Sequence, residues 1–330
     1  MPDVLDGKIL HALQLAPRAP FRRIADVLAV SEQTVARRYQ ALRRDGILRV
    51  VGLINPAVHG EAQWVARIRC RPDRTAPLAD SLARRPDIAY AHVASGGTEI
   101  ICIVRSPVES EREAILLQQL PRAAAVLDIS VDLLIHRFGT AATADWTGYG
   151  TCLDPDQVAQ LIARRPPAQP GPPPPPTADD APLLDALGED GRATHTHLAA
   201  HTGWSTGRVA RRLDALEASG TLLYEVESLP EPLGYHLNAT LWLRTAPRDL
   251  TATGEQLAAH GEVAFAGATS GNHNLMAIVI CRDAADFYRY LSTRLATLTS
   301  IDSYTVSVRV QRLKQAALRV VHGRLVRPEA

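Results

Sequence analysis

The chain of 330 residues contains an internal repeat that organises most of its length. A shift of 174 residues aligns the two copies at first, and one extra residue makes the shift 175 further along. The matched positions include Leu10 with Leu184, Arg18 with Arg192, Ser31 with Ser205, Val35-Ala36-Arg37-Arg38 with Val209-Ala210-Arg211-Arg212, Ser95-Gly96 with Ser270-Gly271, and Arg137 with Arg312. An offset that stays nearly constant from residue 10 to residue 137 indicates a tandem duplication.

A proline-rich segment separates the two copies. Eight of the eleven residues from Pro166 to Pro176 are proline, which favours an extended polyproline II spacer. A PxxP ligand for a partner with an aromatic groove is the alternative. The repeat and this segment divide the chain into a first copy with domains over residues 1–55 and 60–140, a helix with a proline-rich linker over 145–178, and a second copy with domains over 179–230 and 235–318.

Three short helices are predicted in the first fifty residues. Apolar residues recur on one helical face over residues 4–15, and Pro17 and Pro20 end that helix. A second helix is predicted over Phe21–Ala29. Ser31 is a suitable N-cap for a third, in which Val35, Tyr39 and Leu42 have the spacing of an inward face. Three short helices in this order, present twice, predict helix-turn-helix modules.

The outward face of the third helix carries groups that suit the major groove of double-stranded DNA. Arginine can bond guanine bidentately and glutamine can bond adenine in the same way. The predicted DNA-binding residues are Ser31, Gln33, Thr34, Arg37, Arg38 and Arg43, with Ser205, Arg208, Arg211 and Arg212 in the second copy. A solvated basic face without a ligand is the alternative reading of the same arginines.

Charge distinguishes the two modules, although the net charge of the whole chain is only +1. Residues 1–50 carry nine basic and five acidic side chains, whereas residues 179–225 carry four basic and eight acidic ones. Contacts to phosphates supply much of the affinity for DNA. We therefore expect the first module to dominate binding, and expect the loss of Arg37 and Arg38 to cost more than the loss of Arg211 and Arg212. Gly207, predicted in the middle of the second recognition helix, also favours the first module, because a mid-helix glycine destabilises a helix by about 1 kcal/mol relative to alanine.

The second part of each copy has the order strand, helix, strand, strand, helix, strand. In the first copy the strands include QWVARIRC and VLDISVDLLIHRF, and the helices are predicted over Leu78–Arg85 and Glu109–Leu120. In the second copy the same order runs from Leu237 to Leu313. This βαββαβ order is ferredoxin-like. The predicted fold is therefore α+β, with two winged or helix-turn-helix trihelical modules, each followed by a ferredoxin-like sensor domain.

Three features resemble the Lrp/AsnC (leucine-responsive, or feast/famine) regulators. They are the LDGKIL start, the S-x-x-T-V-x-x-R recognition segment beginning at Ser31, and the L-x-x-x-G-I-L exit that ends at Leu48, each of which recurs more loosely in the second copy. The resemblance implies a transcriptional regulator with helix-turn-helix domains over residues 1–55 and 179–230 and effector and dimerisation domains over 60–140 and 235–318. The latter would pair through their sheets and bind small effectors, often amino acids. It also implies intrachain pairing of the repeats, with homo-oligomers as a further option.

The resemblance places the effector in the loop between the two middle strands. The predicted effector-binding residues are Ser95, Gly96, Gly97, Thr98 and Glu99, with Ser270, Gly271, Asn272, His273 and Asn274 in the second copy. The family pattern T-G-x-Y-D-L is altered at its tyrosine and aspartate in both copies. A structural hairpin, in which the glycine supplies a positive φ, is the alternative.

Other functional classes find little support in the sequence. It contains no Walker, Rossmann or GxSxG pattern, and His195, His197 and His201 lack a companion cysteine or carboxylate at zinc spacing. We expect no enzymatic activity, cofactor, metal or membrane partner, and the four separated cysteines suggest reduced thiols in the cytoplasm.

The alternative to a regulator is a siroheme decarboxylase, a group of enzymes that resembles this family and is rich in His, Tyr and Arg on one strand. Here that strand offers only Tyr90 and His92.

Overall fold

The structure is a computed structural model that describes residues 3–107, 125–139, 146, 153–162, 173–315 and 318–326. The helices are α1 (Val4–Leu15), α2 (Phe21–Leu28), α3 (Glu32–Arg44), α4 (Thr75–Ala83), α5 (Pro155–Ile162), α6 (Ala181–Glu189), α7 (His195–Thr202), α8 (Thr206–Ala218), α9 (Leu250–Ala258) and α10 (Ala284–Arg289). The strands are β1 (Leu48–Ile54), β2 (Glu61–Cys70), β3 (Ile88–Ala94), β4 (Glu99–Pro107), β5 (Val126–Arg137), β6 (Leu222–Ser228), β7 (Leu237–Thr245), β8 (Val263–Thr269), β9 (Leu275–Cys281), β10 (Ile301–Gln315), β11 (Leu318–Val321) and β12 (Arg324–Val326).

The chain forms two compact units, and each unit contains parts of both copies. One unit, the helical unit, comprises residues 2–61 and 151–228, and the other, the sheet unit, comprises residues 62–150 and 229–330. The helix-turn-helix modules therefore belong to one unit and the sensor domains to the other. None of the helices in the described ranges is long and apolar enough to cross a membrane.

Capping and apolar spacing explain the helices of the helical unit. The Ser31 hydroxyl accepts a hydrogen bond from Thr34 N at 3.1 Å, and its counterpart Ser205 accepts one from Arg208 N at 3.2 Å. Both serines therefore satisfy an amide that the first turn of a helix leaves without a partner. Val35 and the equivalent Val209 are fully buried, as their positions on the inner face predict.

The two helix-turn-helix modules are joined by a strand pair and by reciprocal arginines. Strand β1 pairs antiparallel with β6, from Leu48 opposite Ser228 to Ile54 opposite Leu222. Arg18 donates to the carbonyls of Gly191 and Ala193 at 2.6 and 3.1 Å. The equivalent Arg192 donates to the carbonyls of Pro17 and Ala19, the latter at 2.8 Å. The contacts repeat at the offset of the sequence repeat, so the modules pack as pseudosymmetric partners.

Helix α5, which follows the first sensor domain in the chain, also packs in the helical unit. Leu153 N donates to His11 Nδ1 at 3.0 Å, and Arg23 donates to the carbonyl of Leu161 at 2.8 Å. Leu161 is buried at this contact. The helix thus docks on the first module before the chain enters the proline-rich segment.

In the sheet unit, the last long strand of each copy pairs first within its own copy and then with the other. Strand β5 pairs with β2 and then, from Leu134 to Arg137, with β8. Strand β10 pairs with β7 and then, from Arg309 to Lys314, with β3. Each sensor domain has its own apolar core, which includes residues of α4 in the first copy and of α9 and α10 in the second. A third cluster, which includes Ile101 and Trp242, joins the two copies.

The predicted α+β fold with two trihelical modules and sheet-containing sensor domains is confirmed, and the second copy shows all six elements of the βαββαβ order. The predicted helix over Glu109–Leu120 and most of the proline segment lie outside the described residues. Gly207 lies inside α8 as predicted, but α8 begins at Thr206, so the glycine is in the first turn and the cost expected for a glycine in the middle of a helix does not apply. The hairpin of β11 and β12 was not predicted.

Candidate functional site

The first recognition helix, α3, presents polar side chains from its amino-terminal end. Gln33, Arg37 and Gln40 are exposed, while Val35 and Tyr39 are buried on the opposite face. The Thr34 hydroxyl lies 2.8 Å from the Ser31 hydroxyl, so both oxygens take part in the cap. An amide and a guanidinium one turn apart on the outer face of a recognition helix can bond base edges in the major groove.

Other arginines predicted to bind DNA form ion pairs within the helical unit. Arg38 Nη1 lies 2.7 Å from Asp3 and 3.0 Å from Asp6, whose side chain is buried. Arg43 Nη1 lies 2.7 Å from Asp190 of the second module. Arg212, the counterpart of Arg38, donates to Asp180, the counterpart of Asp6, at 2.6 Å. The same ion pair at both sites ties each recognition helix to the start of its module.

The second recognition helix, α8, has a different outer face. The guanidinium of Arg208 stacks on the ring of Trp204 at 4.0 Å and lies 3.5 Å from Asp179. Arg211 is exposed, and so is Asp214 further along the helix. At the positions that correspond to Gln33 and Gln40, α8 therefore carries a glycine and an aspartate. His195, His197 and His201 are exposed on the neighbouring helix α7.

In the sheet unit, the hairpin predicted to bind an effector in the first copy is held by internal hydrogen bonds. Ser95, Gly96 and Gly97 have φ of 53°, 67° and 90°. Thr98 is exposed and donates to the carbonyl of Ser95 at 2.8 Å. Glu99 is buried, and it accepts hydrogen bonds from Arg67 Nε at 2.9 Å, from Ser95 Oγ at 2.8 Å and from Ser307 Oγ at 2.6 Å. The Glu99 carboxylate is therefore committed to internal partners.

The second effector hairpin has another arrangement. The side chain of Asn274 accepts from Thr245 N at 3.1 Å and donates to Thr245 O at 2.9 Å. Ser270 Oγ accepts from Leu133 N of the first copy at 2.9 Å. Asn272 is exposed and His273 is half-buried. Burial, together with Arg67, lowers the pKa of His273.

Gly271 corrects one expectation about these hairpins. Gly96 does need a positive φ, but Gly271 does not have one. A Cβ at position 271 would instead overlap the carboxylate of Asp132, which belongs to strand β5 of the first copy. The glycine is required there by the close approach of another side chain rather than by its own backbone conformation.

A cluster of one histidine and two arginines lies where β3 pairs with β10. His92 lies opposite Arg312 in the strand ladder. Arg309 Nη2 donates to Glu231 at 2.7 Å, and Arg312 Nη2 lies 3.6 Å from the same oxygen. Burial and the two guanidinium groups lower the pKa of His92 to about 3, so its imidazole is neutral. The sequence analysis missed both arginines because they come from the other copy of the repeat.

Comparison with known proteins identifies the family. The AsnC-type helix-turn-helix domain matches residues 3–43 and 178–217, and the Lrp/AsnC ligand binding domain matches residues 238–318. An uncharacterised HTH-type transcriptional regulator of Pyrococcus furiosus is 30% identical over 145 residues, which are 43% of this chain and 98% of the relative. The chain belongs to the Lrp/AsnC family. The HTH-type transcriptional regulator LrpA of Pyrococcus abyssi is 29% identical over 136 residues, 41% of this chain and 96% of its own.

These relatives are matched over nearly their whole length by less than half of this Lrp/AsnC chain. A likeness of full length comes from a solved structure, that of the siroheme decarboxylase NirDL. It covers 95% of this chain and 93% of its own, with a TM-score of 0.63 and 14% sequence identity. At that identity, the likeness is one of fold alone.

Proposed function

We propose that this Lrp/AsnC protein is a sequence-specific DNA-binding transcriptional regulator that reads DNA mainly through its first helix-turn-helix module. The observation that carries the proposal is the outer face of α3, where Gln33 and Arg37 are exposed beside a capped helix start. Both residue types form bidentate hydrogen bonds with bases. Most of the other predicted DNA-binding residues would act through caps or ion pairs, namely Ser31, Thr34, Arg38, Arg43, Ser205, Arg208 and Arg212. Arg211 is the exposed counterpart of Arg37.

The contrast between the two modules supports this assignment. Where α3 carries Gln33 and Gln40, α8 carries Gly207 and Asp214. An aspartate on the face that meets DNA repels phosphate and cannot donate to a base edge. The second module would then act mainly as the built-in partner that orients the first, and the target would be asymmetric.

The test compares Arg37→Ala with Arg211→Ala in the full-length chain. Both arginines are exposed at equivalent positions, so the pair is matched. DNA fragments selected from genomic DNA by the wild-type chain would be titrated and followed by fluorescence anisotropy. We expect R37A to weaken binding by about tenfold or more, the range for a lost bidentate contact, and R211A to weaken it by less. Equal losses would contradict the leading role of the first module.

The sensor domains of this regulator are proposed to pair within one chain, in place of the dimer formed by two chains of single-copy regulators. The crossings of β5 onto β8 and of β10 onto β3 support this arrangement. Further assembly into homo-oligomers is compatible with it. Light scattering of the purified chain checks the number of chains in the particle.

A small effector, such as an amino acid, is proposed to act at the second hairpin, over residues 270–274. Glu99 of the first hairpin already has three donors, whereas Asn272 is exposed and His273 is half-buried. Thermal shift with a panel of amino acids tests this, with Asn272→Ala as the variant that should lose the response.

We also place the protein in the cytoplasm, which suits the buried free thiols of Cys70, Cys102 and Cys281.

Siroheme decarboxylation is a second candidate function, and the cluster at β3 and β10 favours it. The structure adds Arg309 and Arg312 to His92, and guanidinium groups bind carboxylates well. The full-length likeness to NirDL is one of fold. Anaerobic titration with siroheme, followed by mass spectrometry for loss of CO₂, tests the activity. Absence of both binding and turnover would remove this candidate.

A further inference from the structure

The seam between the two sensor domains is lined by equivalent positions that carry different chemistry. The shift of 175 residues places Arg67 on Trp242, Glu99 on Asn274, and Asp132 on Ser307. In each of these three pairs the first copy carries the charged residue and the second copy carries an uncharged one. Strand β5 of the first copy pairs with β8 of the second, and β10 of the second copy pairs with β3 of the first. These two pairings form the seam between the sensor domains.

The contacts at the seam depend on this difference. The guanidinium of Arg67 stacks on the ring of Trp242 at 4.2 Å while it bonds Glu99 at 2.9 Å. Trp242 Nε1 donates to Ser307 Oγ at 3.0 Å, and Ser307 in turn donates to Glu99 at 2.6 Å. The Glu99 side chain is only 6% exposed, and its two oxygens together take bonds from both copies. A buried carboxylate is stable only when it is paired and hydrogen-bonded in this way.

The hairpin of the second copy shows a matching adaptation. Asp132 of the first copy lies where a Cβ of residue 271 would be, so Gly271 is what admits this carboxylate. At the equivalent Gly96, a Cβ would meet nothing within 4 Å. The two hairpins are therefore fitted to different partners: one to a serine and the other to an aspartate.

Pairing of the first sensor domain with a second copy of itself would put like charges together. Arginine would take the place of Trp242, so two guanidinium groups would stack. Aspartate would take the place of Ser307, so two carboxylates would meet at hydrogen-bonding distance from one another. Both contacts would be buried, where like-charge repulsion is much stronger than in water. Pairing of the second domain with itself would bring together only tryptophan, asparagine and serine, which are neutral.

We propose that the sensor domains have become complementary partners, in which Arg67, Glu99 and Asp132 prevent the first domain from pairing with itself and so fix its partner as the second domain. This deepens the intrachain pairing proposed above, and rests on it. The partner that fits this surface has an aromatic ring at Trp242 and a hydroxyl donor at Ser307, whereas the glycine beside Asp132 is common to both copies. A chain with two identical sensor domains would lack this selection.

The experiment gives the second domain the charge of the first at one position. Ser307→Asp in the full-length chain mimics contact of the first domain with itself, and Ser307→Asn supplies the same size without the charge. Amide hydrogen exchange of residues 91–94 and 309–314, which form the β3–β10 ladder, reports the pairing directly. We expect S307D to accelerate exchange there by at least about tenfold, as for an unpaired buried charge, and S307N to do so much less.

Two further variants keep the test informative if S307D folds poorly. Glu99→Gln, added to S307D, replaces the repulsion with an amide that can donate, and we expect it to restore most of the protection. Asp132→Ser makes the opposite conversion and should leave exchange nearly unchanged. Equal acceleration by S307D and S307N, or no recovery with E99Q, would overturn the proposal. None of these readouts involves DNA, so they can fail while the regulatory function stands.

Discussion

Arg38 and Arg212 illustrate how one residue type can serve two purposes on the same helix. Each forms an ion pair with an aspartate 32 residues earlier, Asp6 and Asp180 respectively. Arg37 and Arg211, their immediate neighbours, are exposed. The structure therefore divides each Arg-Arg pair into one residue that stabilises the module and one that is free to face a ligand surface.

The Asp180–Arg212 pair predicts a specific acid sensitivity. Arg212 and Thr177, which bond this carboxylate, lower the pKa of Asp180 to about 2. A depressed pKa stabilises the folded state above the ordinary value near 3.8, and that stability is lost as the pH falls toward 2. We expect Asp180→Asn to lower the free energy of unfolding at pH 7 by on the order of 1–2 kcal/mol and to flatten its decline below pH 4. Urea titrations across this range measure both effects.

The neighbouring Asp179 supplies the control for that prediction. Its side chain is 79% exposed and lies 3.5 Å from Arg208, and exposed pairs of this kind contribute little. Asp179→Asn should therefore leave both the stability and its pH dependence almost unchanged. A D180N chain that is as stable as the wild type at pH 7 would show that the ion pair has no net effect.

For single residues, the sequence predicted the helix caps and the buried helix faces well, because both depend on residues that are close in the sequence. Ser31 and Val35 act as their spacing predicted. The role of Arg38 could not be read from α3 alone, since its partner lies in another helix. A usable signal was present, however: Asp6 and Arg38 recur together as Asp180 and Arg212. Residues that repeat as a pair at a fixed separation are candidates for a contact inside the repeating unit.

Among the elements, the β1–β6 pair contributes to the contact between the two helix-turn-helix modules, and Gly191 lies directly against β1. A Cβ on Gly191 would lie 2.9 Å from the backbone carbon of Val51 and 3.1 Å from Gly52 N. Backbone in a paired strand cannot move aside as the end of a flexible side chain can. Gly191 N also donates to Val50 O at 2.8 Å, so the loop is held against the strand.

We therefore expect Gly191→Ala to weaken the packing of the two modules. Its free energy of unfolding should fall by roughly 1–3 kcal/mol, the usual cost of overpacking. Gly188→Ala is the matched control, because a Cβ at that position in α6 would make only an ordinary contact at 3.9 Å. Alanine favours helix more than glycine does, so G188A should be neutral or stabilising. Thermal unfolding of the two variants compares them, and a loss in G188A as large as that in G191A would contradict this explanation.

Most strands were found from alternation and turn residues, but their partners were not. Periodicity shows which face of β5 or β10 is apolar, yet it cannot show that each strand leaves its own sheet halfway along. The contacts of the loops predicted to bind an effector could not be predicted either, because their partners are also distant in the sequence. Ser95 and Glu99 were named from a family pattern, whereas Arg67, Trp242 and Ser307, which surround Glu99, lie far away in the sequence. Positions where the copies differ in charge would have indicated this seam.

For the molecule as a whole, duplication within one chain has allowed the two halves to diverge. Two identical chains must present the same residues on both sides of a twofold interface. A tandem chain is free of that requirement, and the two copies of this chain differ in charge in both units. One module is basic and the other acidic, and one side of the sensor seam carries the charges that the other side accepts.

The charge on the second module predicts how DNA affinity responds to a single substitution. Asp214 is exposed on α8, about one turn beyond Arg211 in the direction of the carboxyl end. If this module lies beside the DNA that the first module reads, Asp214→Asn should tighten binding by roughly two- to fivefold at low salt. The gain should shrink as salt increases, because screening weakens interactions of exposed charges.

Asp156→Asn on helix α5 separates a local effect from one of net charge. Asp156 is also exposed in the helical unit, and its replacement changes the total charge by the same amount. We expect D156N to leave affinity and salt dependence near those of the wild type. Anisotropy titrations at several salt concentrations compare the three chains on one fragment. If D156N tightens binding as much as D214N does, the second module would have no particular position near DNA, and the acidic face of α8 would not explain the asymmetry of the regulator.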